Sequence, residues 1–232
     1  MQPENTARPI NTLNEKSLHA ALKTWYAQPG DQLEVKVDGY IIDIVRGDLL
    51  VEIQTRNMAA IKRKLATLTL HHPVRLVYPI AREKWIVKLS PDGRRVSRRK
   101  SPKRGAVEQV FEELVSLPQL LAVPNFSIEV LFIQEEEIRR HARGKSWRRK
   151  GWVTHERRLL QVVDRRLFET PSDMGELIPG DLVEPFTVSG LATALGQAGG
   201  LAQRMAYCLC KMGAIALAGK RGRAFLYVRS GI

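Results

Sequence analysis

The sequence has little cysteine. It carries 2 cysteines in 232 residues, Cys208 and Cys210. Two cysteines cannot build a disulfide framework. Residues two apart on a helix do not face one another, so the pair reads as core rather than as a metal half-site. Long apolar runs are missing too. None approaches the ~20 residues that a membrane helix needs, so no span is expected. The opening segment, MQPENTARPINTLNEK, has no apolar stretch of the kind a secretory signal requires. These absences point to a reducing, cytoplasmic setting without a membrane partner. There is no Walker loop, dinucleotide fingerprint, nucleophile elbow or internal repeat.

Acidic residues are also scarce relative to basic ones. There are 24 Asp+Glu against 37 Lys+Arg, for a formal net charge of +13. The excess is local. Residues 94–104 (RRVSRRKSPKR) hold seven basic and no acidic side chains, and residues 139–150 (RRHARGKSWRRK) hold seven more. Localised positive charge favours a polyanion through counterion release from a phosphate backbone. Arg94, Arg95, Arg98, Arg99 and Lys100 in the first cluster, and Arg148, Arg149 and Lys150 in the second, are the candidate phosphate contacts. Solvated loops are the alternative reading. Trp147 and Trp152 flank the second triplet, suited to base stacking or to anchoring a loop. His71-His72 has no neighbour at ligand spacing and reads as a loop pair.

What is present is an ordered alternation of elements. Residues 12–27 carry Leu13, Leu18, Ala21, Leu22 and Trp25 at helical spacing, and Pro29-Gly30 ends that helix. Residues 32–37, 40–45 and 49–54 read as three strands, joined at Asp38-Gly39 and Gly47-Asp48. A helix over 57–68 and a strand over 74–80 follow, giving α-β-β-β-α-β. A strand over 84–89, a helix over 106–117 and a strand over 127–133 can extend the sheet. Residues 159–168 read as either helix or strand. A Pro/Gly-marked stretch at 169–185 suggests a boundary. The expected organisation is a core over 1–135, a basic connector over 136–170 and a small module over 171–232.

The segment YIIDIVRGDLLVEIQT places two carboxylates together. A two-residue turn at Gly47-Asp48 pairs Arg46 with Leu49, and the same register sets Asp43 opposite Glu52. Like charges at directly opposed positions repel. The surrounding isoleucines, leucines and valines make both faces apolar, as in a covered sheet. A divalent cation with hard oxygen ligands resolves that conflict.

The element order, with Asp on one strand and Glu-Ile-Gln on the next, resembles the PD-(D/E)XK nucleases, which have the restriction-endonuclease-like fold. The resemblance spans about residues 12–90 and reaches residue 134 at its widest. It implies an α/β fold with a mixed central sheet, and a Mg²⁺ or Mn²⁺ ion held by Asp43, Glu52 and the carbonyl of Ile53. It also implies Glu15 on the first helix as a supporting carboxylate. The chain departs from the family pattern in having Gln54 where the usual residue is Lys. Some restriction enzymes of this fold carry Glu-X-Gln and still cut. Since Gln cannot supply a positive charge or take a proton, attack would then depend on metal-bound water. The alternative is a Lys from the next helix, Lys62 or Lys64. Ile42, not Pro, precedes Asp43, and that Pro is often absent in the family.

Residues 186–230 resemble a winged helix: a short helix, a Gly-rich turn, a helix over 201–212, and a hairpin tipped by Lys220, Arg221 and Arg223. Leu201, Met205, Leu209 and Met212 recur at inward-facing steps, leaving Gln203, Arg204 and Lys211 for bases or phosphates. The combined expectation is a metal-dependent DNA endonuclease acting on duplex DNA, with a homodimer as a further partner. The alternative is a non-catalytic DNA-binding or regulatory protein on a degenerate nuclease fold, and either version could act on RNA.

Overall fold

The computed structural model describes residues 17–142 and 150–230. Helix α1 (Ser17–Tyr26) buries Leu18, Leu22 and Tyr26, one per turn. β1 (Gln32–Val37) and β2 (Tyr40–Arg46) form an antiparallel hairpin. Its turn residues Asp38 and Gly39 both have positive φ, 48° and 84°, as a twist-matched two-residue turn demands. Gly47 leads into β3 (Leu49–Ile53), antiparallel to β2. A 3-10 turn over Met58–Ile61 and helix α2 (Lys62–Leu68) cross to β4 (Val74–Leu89), which runs parallel to β3.

β4 continues through both segments expected as separate strands. β3 covers the first part of one edge, and β5 (Arg95–Lys100) covers its far end, antiparallel. The predicted helix over 106–117 is a 3-10 turn followed by the four-residue α3 (Phe111–Leu114). β6 (Phe126–His141) runs parallel to the whole of β4, and β7 (Trp152–Phe168) returns antiparallel beside it. The seven-stranded mixed sheet has the order β1-β2-β3-β4-β6-β7, with β5 on β4.

Residues expected as a connector are therefore mostly sheet. Cross-strand polar contacts hold the basic strand there: Arg157 of β7 forms an ion pair with Glu135 of β6 at 2.6 Å, and the Thr154 hydroxyl donates to Glu137 at 2.8 Å. Residues 143–149, including Arg148 and Arg149, lie outside the described residues, as does Glu15.

Both faces of the sheet are covered. Leu18, Leu22 and Tyr26 of α1 pack on Ile44, Val51, Ile53, Val77, Leu131 and Ile133. The opposite face, with Ile42, Leu50, Leu76, Ile128 and Val130, receives Leu65 and Leu68 of α2 and Phe111 and Leu114 of α3. This double burial explains the near-continuous apolar runs in the strands.

α4 (Pro171–Gly175) starts at a capping box between Thr170 and Asp173. α5 (Val188–Leu195), α6 (Gly199–Met212) and the hairpin β8 (Ile215–Arg221)–β9 (Ala224–Arg229) follow, with an isolated bridge from Phe186 to Tyr227. Leu201, Met205, Leu209 and Met212 of α6 are buried, and they belong to the same apolar cluster as Phe111 and Leu114. The C-terminal unit thus shares its core with one sheet face. No helix among the described residues is long and apolar enough to cross a membrane.

Candidate active site and basic surfaces

The expected register between β2 and β3 holds for Arg46–Leu49, Val45–Leu50 and Ile44–Val51. It ends there, one pair short of Asp43 and Glu52. The Ile53 N–H donates instead to Asp43 Oδ2 at 2.8 Å. The carboxylate replaces a backbone partner, which parts the ladder at this point.

The other side of β2 is irregular at the same level. β1 pairs Leu33 with Ile44 and Val35 with Ile42, while Glu34 between them has φ 54°, rare for a residue with a side chain. Ile42 and Ile44 should share a face in a regular strand. Here they pack into opposite apolar clusters. Asp43 therefore sits where the backbone turns over, with ladders interrupted on both sides.

Three further side chains complete the arrangement. His19 from α1 places Nε2 3.2 Å from Asp43 Oδ2. Lys64 from α2 forms an ion pair with Glu52 Oε1 and donates to the Ile41 carbonyl at 2.5 Å. Apart from this Lys64 contact, the buried Oε1 has no hydrogen-bond partner among the described residues. Lys23 holds Glu34 at 2.7 Å.

The two carboxylates are pushed in opposite directions. Burial raises Asp43, but the His19 hydrogen bond and charge, the Ile53 N–H and the Lys64 charge outweigh it and hold the group below its ordinary value. Glu52 is pushed up to about 7, first by burial and then by the Asp43 charge, against the pull of Lys64. The site is thus one fixed anion beside a carboxyl poised near neutrality. Its donors are oxygens, the type that suits Mg²⁺ or Mn²⁺. Among the described residues, no group of three or more His, Cys, Asp or Glu side chains is arranged to hold a metal, so any ion would rely on two carboxylates and a carbonyl.

Gln54 and Lys62 are not brought to this point. The Gln54 amide donates to the carbonyls of Arg56 and Asn57, closing the loop after β3. Lys62 is exposed, and Lys64, two positions further on the helix, is the lysine that meets Glu52. The 3-10 turn ahead of α2 advances by 120° per residue rather than 100°, which resets the face that each lysine occupies. His19 went unrecognised in the sequence. Its only signal is its place beside the buried stripe of α1.

The basic clusters divide into spent and unspent charge. Arg94 pairs with Asp92, Arg98 with Glu136 at 2.7 Å, Lys100 with Glu83 at 2.6 Å and Arg139 with Glu137 at 2.7 Å. Arg95, Arg99 and Lys150 are exposed and have no carboxylate partner among the described residues. On α6, Gln203, Arg204 and Lys211 are exposed as expected. Tyr207, missed in the sequence, lies between them at 44% exposure. Lys220, Arg221 and Arg223 are exposed around the tip at Gly222.

Residues 16–169 match the family DUF8091, described as a domain of unknown function. The match ends just after β7, so it covers the sheet and leaves out the C-terminal unit. An uncharacterized protein of Treponema pallidum (strain Nichols) is 34% identical over 221 residues, covering 94% of this chain and 86% of the relative. No solved structure matches the chain.

Proposed function

Because the chain belongs to the DUF8091 family, whose function is open, its chemistry has to come from its own residues, and we propose that it is a metal-dependent DNA endonuclease. In this reading the first half of the sheet is a restriction-endonuclease-like core of the PD-(D/E)XK type, and residues 171–230 are a winged-helix reader. The observation that carries the reading is the meeting of Asp43, Glu52 and Lys64 where the ladders around Asp43 are interrupted. The order α1-β1-β2-β3-α2-β4 in a mixed sheet supports it.

Asp43, Glu52 and the Ile53 carbonyl are the groups that would hold Mg²⁺ or Mn²⁺. The repulsion between Glu52 and Asp43, which one lysine only partly offsets, fits such an ion. When bound, the ion supplies a water of lowered pKa and positive charge for the phosphate oxygens. His19 and the Ile53 N–H keep Asp43 ionised and oriented. Glu52 would complete the ligand pair, its raised pKa falling as the ion offsets its repulsion from Asp43. Lys64 brings the positive charge that Gln54 lacks. The exposed face of α6 and the β8–β9 tip are suited to the major groove and the flanking phosphates.

Incubation of the purified full chain with supercoiled plasmid and Mn²⁺ tests the proposal. Nicking that disappears in Asp43→Ala supports it. Duplex binding without cleavage supports the second reading, a non-catalytic DNA-binding or regulatory protein. That reading is favoured by the Gln54 amide being committed to its own loop.

A further inference from the structure

A cavity of about 750 Å³ opens on the sheet beside the segment that follows β5. It lies apart from Asp43 and Glu52, and neither lines it. Its size falls in the range of small-molecule sites, about 300–1,000 Å³. Six cations line it: Lys84 of β4, Arg139 of β6, Arg157 of β7, and Arg99, Lys103 and Arg104 from β5 and its exit. Only Glu112 and Glu137 oppose them on the lining.

The six cations are of two kinds. The inner three are held by buried glutamates. Lys84 lies 3.0 Å from Glu135 and 3.2 Å from Glu137, Arg139 lies 2.7 Å from Glu137, and Arg157 lies 2.6 Å from Glu135. Of the outer three, Arg104 reaches Glu83 at 3.5 Å, whereas Arg99 and Lys103 have no carboxylate partner among the described residues. Gly105 presses this outer segment onto β4. Its N–H donates to the Ala81 carbonyl at 3.0 Å, and a Cβ there would stand 2.5 Å from that same oxygen. The cations thus surround the cavity by construction.

Apart from Ser101 and Gln109, the remaining lining is apolar or aromatic, with Tyr78, Pro79, Ile80 and Ile86 along β4. The Tyr78 hydroxyl is pushed up to about 12 by burial, so it stays a neutral donor. A small inorganic anion would leave this wall empty. A ligand with a phosphate at one end and a flat ring at the other would use both.

We infer that this cavity binds a nucleoside phosphate, with the phosphate among Arg99, Lys103 and Arg104 and the base along the β4 wall. Two sources carry that chemistry: a free mononucleotide, or the 5′-phosphorylated end of a nucleic-acid strand. The cavity has a link to the loop after Glu52 in either case, since Arg157 donates to the Thr55 carbonyl at 3.1 Å.

Calorimetry on the full chain tests the inference with AMP, adenosine, inorganic phosphate, and a short single strand bearing a 5′-phosphate or a 5′-hydroxyl. AMP or the 5′-phosphorylated strand should bind at least about tenfold tighter than its form lacking the phosphate, and AMP tighter than inorganic phosphate. The double variant Arg99→Ser/Lys103→Ser should weaken that binding by about tenfold or more. Both residues are exposed, so its melting temperature should match the parent. Binding by AMP alone identifies a free nucleotide, and a preference among strands for the 5′-phosphate identifies a strand end. Asp43→Ala should bind as the parent does, which separates this site from the proposed nuclease chemistry. The inference is overturned if no probe binds, if adenosine or inorganic phosphate matches AMP and the 5′-hydroxyl strand matches the phosphorylated one, or if the double variant binds unchanged.

Discussion

Glu52 and Glu137 are almost equally hidden in the same sheet, at 5% and 6% exposure. Burial alone would raise both. Glu52 goes up to about 7, whereas Glu137 is brought down to about 2. The neighbours decide. Glu52 faces Asp43 and has one lysine against two carboxylates. Burial also pushes Glu137 up, but Arg139, Lys84 and Thr154 outweigh it. One region supplies its own cations and is electrostatically closed. The other is left short of positive charge, the condition under which an external cation gains most.

The strongest way to sharpen this contrast is to remove one carboxylate from each region and measure cleavage. Under the proposed function, Asp43→Ala lowers Mn²⁺-dependent nicking by at least about a thousandfold. Glu137→Gln leaves the rate per folded molecule within about twofold of the parent. Similar losses in both variants would remove the distinction. Stability should then separate the two glutamates by sign. Glu137 has a folded pKa below its ordinary 4.5, so its contribution is present above that pH and fades as pH falls toward about 2. Glu52 has a folded pKa above 4.5, so its contribution is full below that value and is lost as pH rises through about 7. In EDTA at pH 8, Glu52→Gln should stabilise the chain by up to about 3 kcal/mol. Glu137→Gln should destabilise it by about 2 kcal/mol, because Arg139 loses its charged partner and Lys84 one of its two. Denaturant unfolding at pH 5, 6.5 and 8 checks both. A Glu52→Gln variant less stable than the parent at pH 8 would show that the pair is not repulsive.

The same contrast marks what the sequence could disclose. The turns at Asp38-Gly39 and Gly47-Asp48 carry their geometry in their residues, so the first three strands and their register were readable. The buried stripe of α6 was readable from its three- and four-residue steps. The break at Asp43 was not, since nothing in YIIDIV announces a side chain taking the place of a backbone acceptor. The β6–β7 hairpin was missed because WVTHERRLLQVVDRRLF lacks a clean period of two. Its partners, Glu135 for Arg157 and Glu137 for Thr154, lie on another strand. The boundary near residue 170 marks a change in local pattern, but the apolar core runs across it.

A smaller effect tests the lysine that partly balances Glu52. Lys64→Met should slow the proposed cleavage about a hundredfold and shift its pH dependence upward, because Glu52 loses the cation paired with it. Lys62→Met, altering an exposed residue two positions away, should change the rate by no more than about twofold. The pH–rate profiles of the two variants give the comparison. Equal effects would mean that the ion pair with Glu52 has no bearing on turnover.

The smallest effect concerns cations on the outside of the molecule, where the division between closed and open charge recurs. Arg98 is matched by Glu136 at 2.7 Å, whereas Arg95 in the same strand, and Arg221 at the β8–β9 tip, have no carboxylate partner among the described residues. A cation already neutralised releases few counterions when DNA arrives, because its carboxylate must first be displaced. An unmatched one contributes fully. On duplex DNA, each phosphate contact adds about −0.9 to the slope of log affinity against log salt. Arg95→Ser and Arg221→Ser should therefore each flatten the slope by about one unit and weaken all sequences alike. Arg98→Ser should flatten it by less, although it uncovers the Glu136 charge and so lowers affinity at every salt concentration. Arg204→Ala on the exposed face of α6 should instead relax preference at one base position, by about tenfold, with little change in preference elsewhere. Filter binding from low to moderate salt, with base-by-base variants of a selected site, resolves these patterns. Equal slopes for Arg95→Ser and Arg98→Ser would mean that intramolecular pairing does not determine which cations face the nucleic acid.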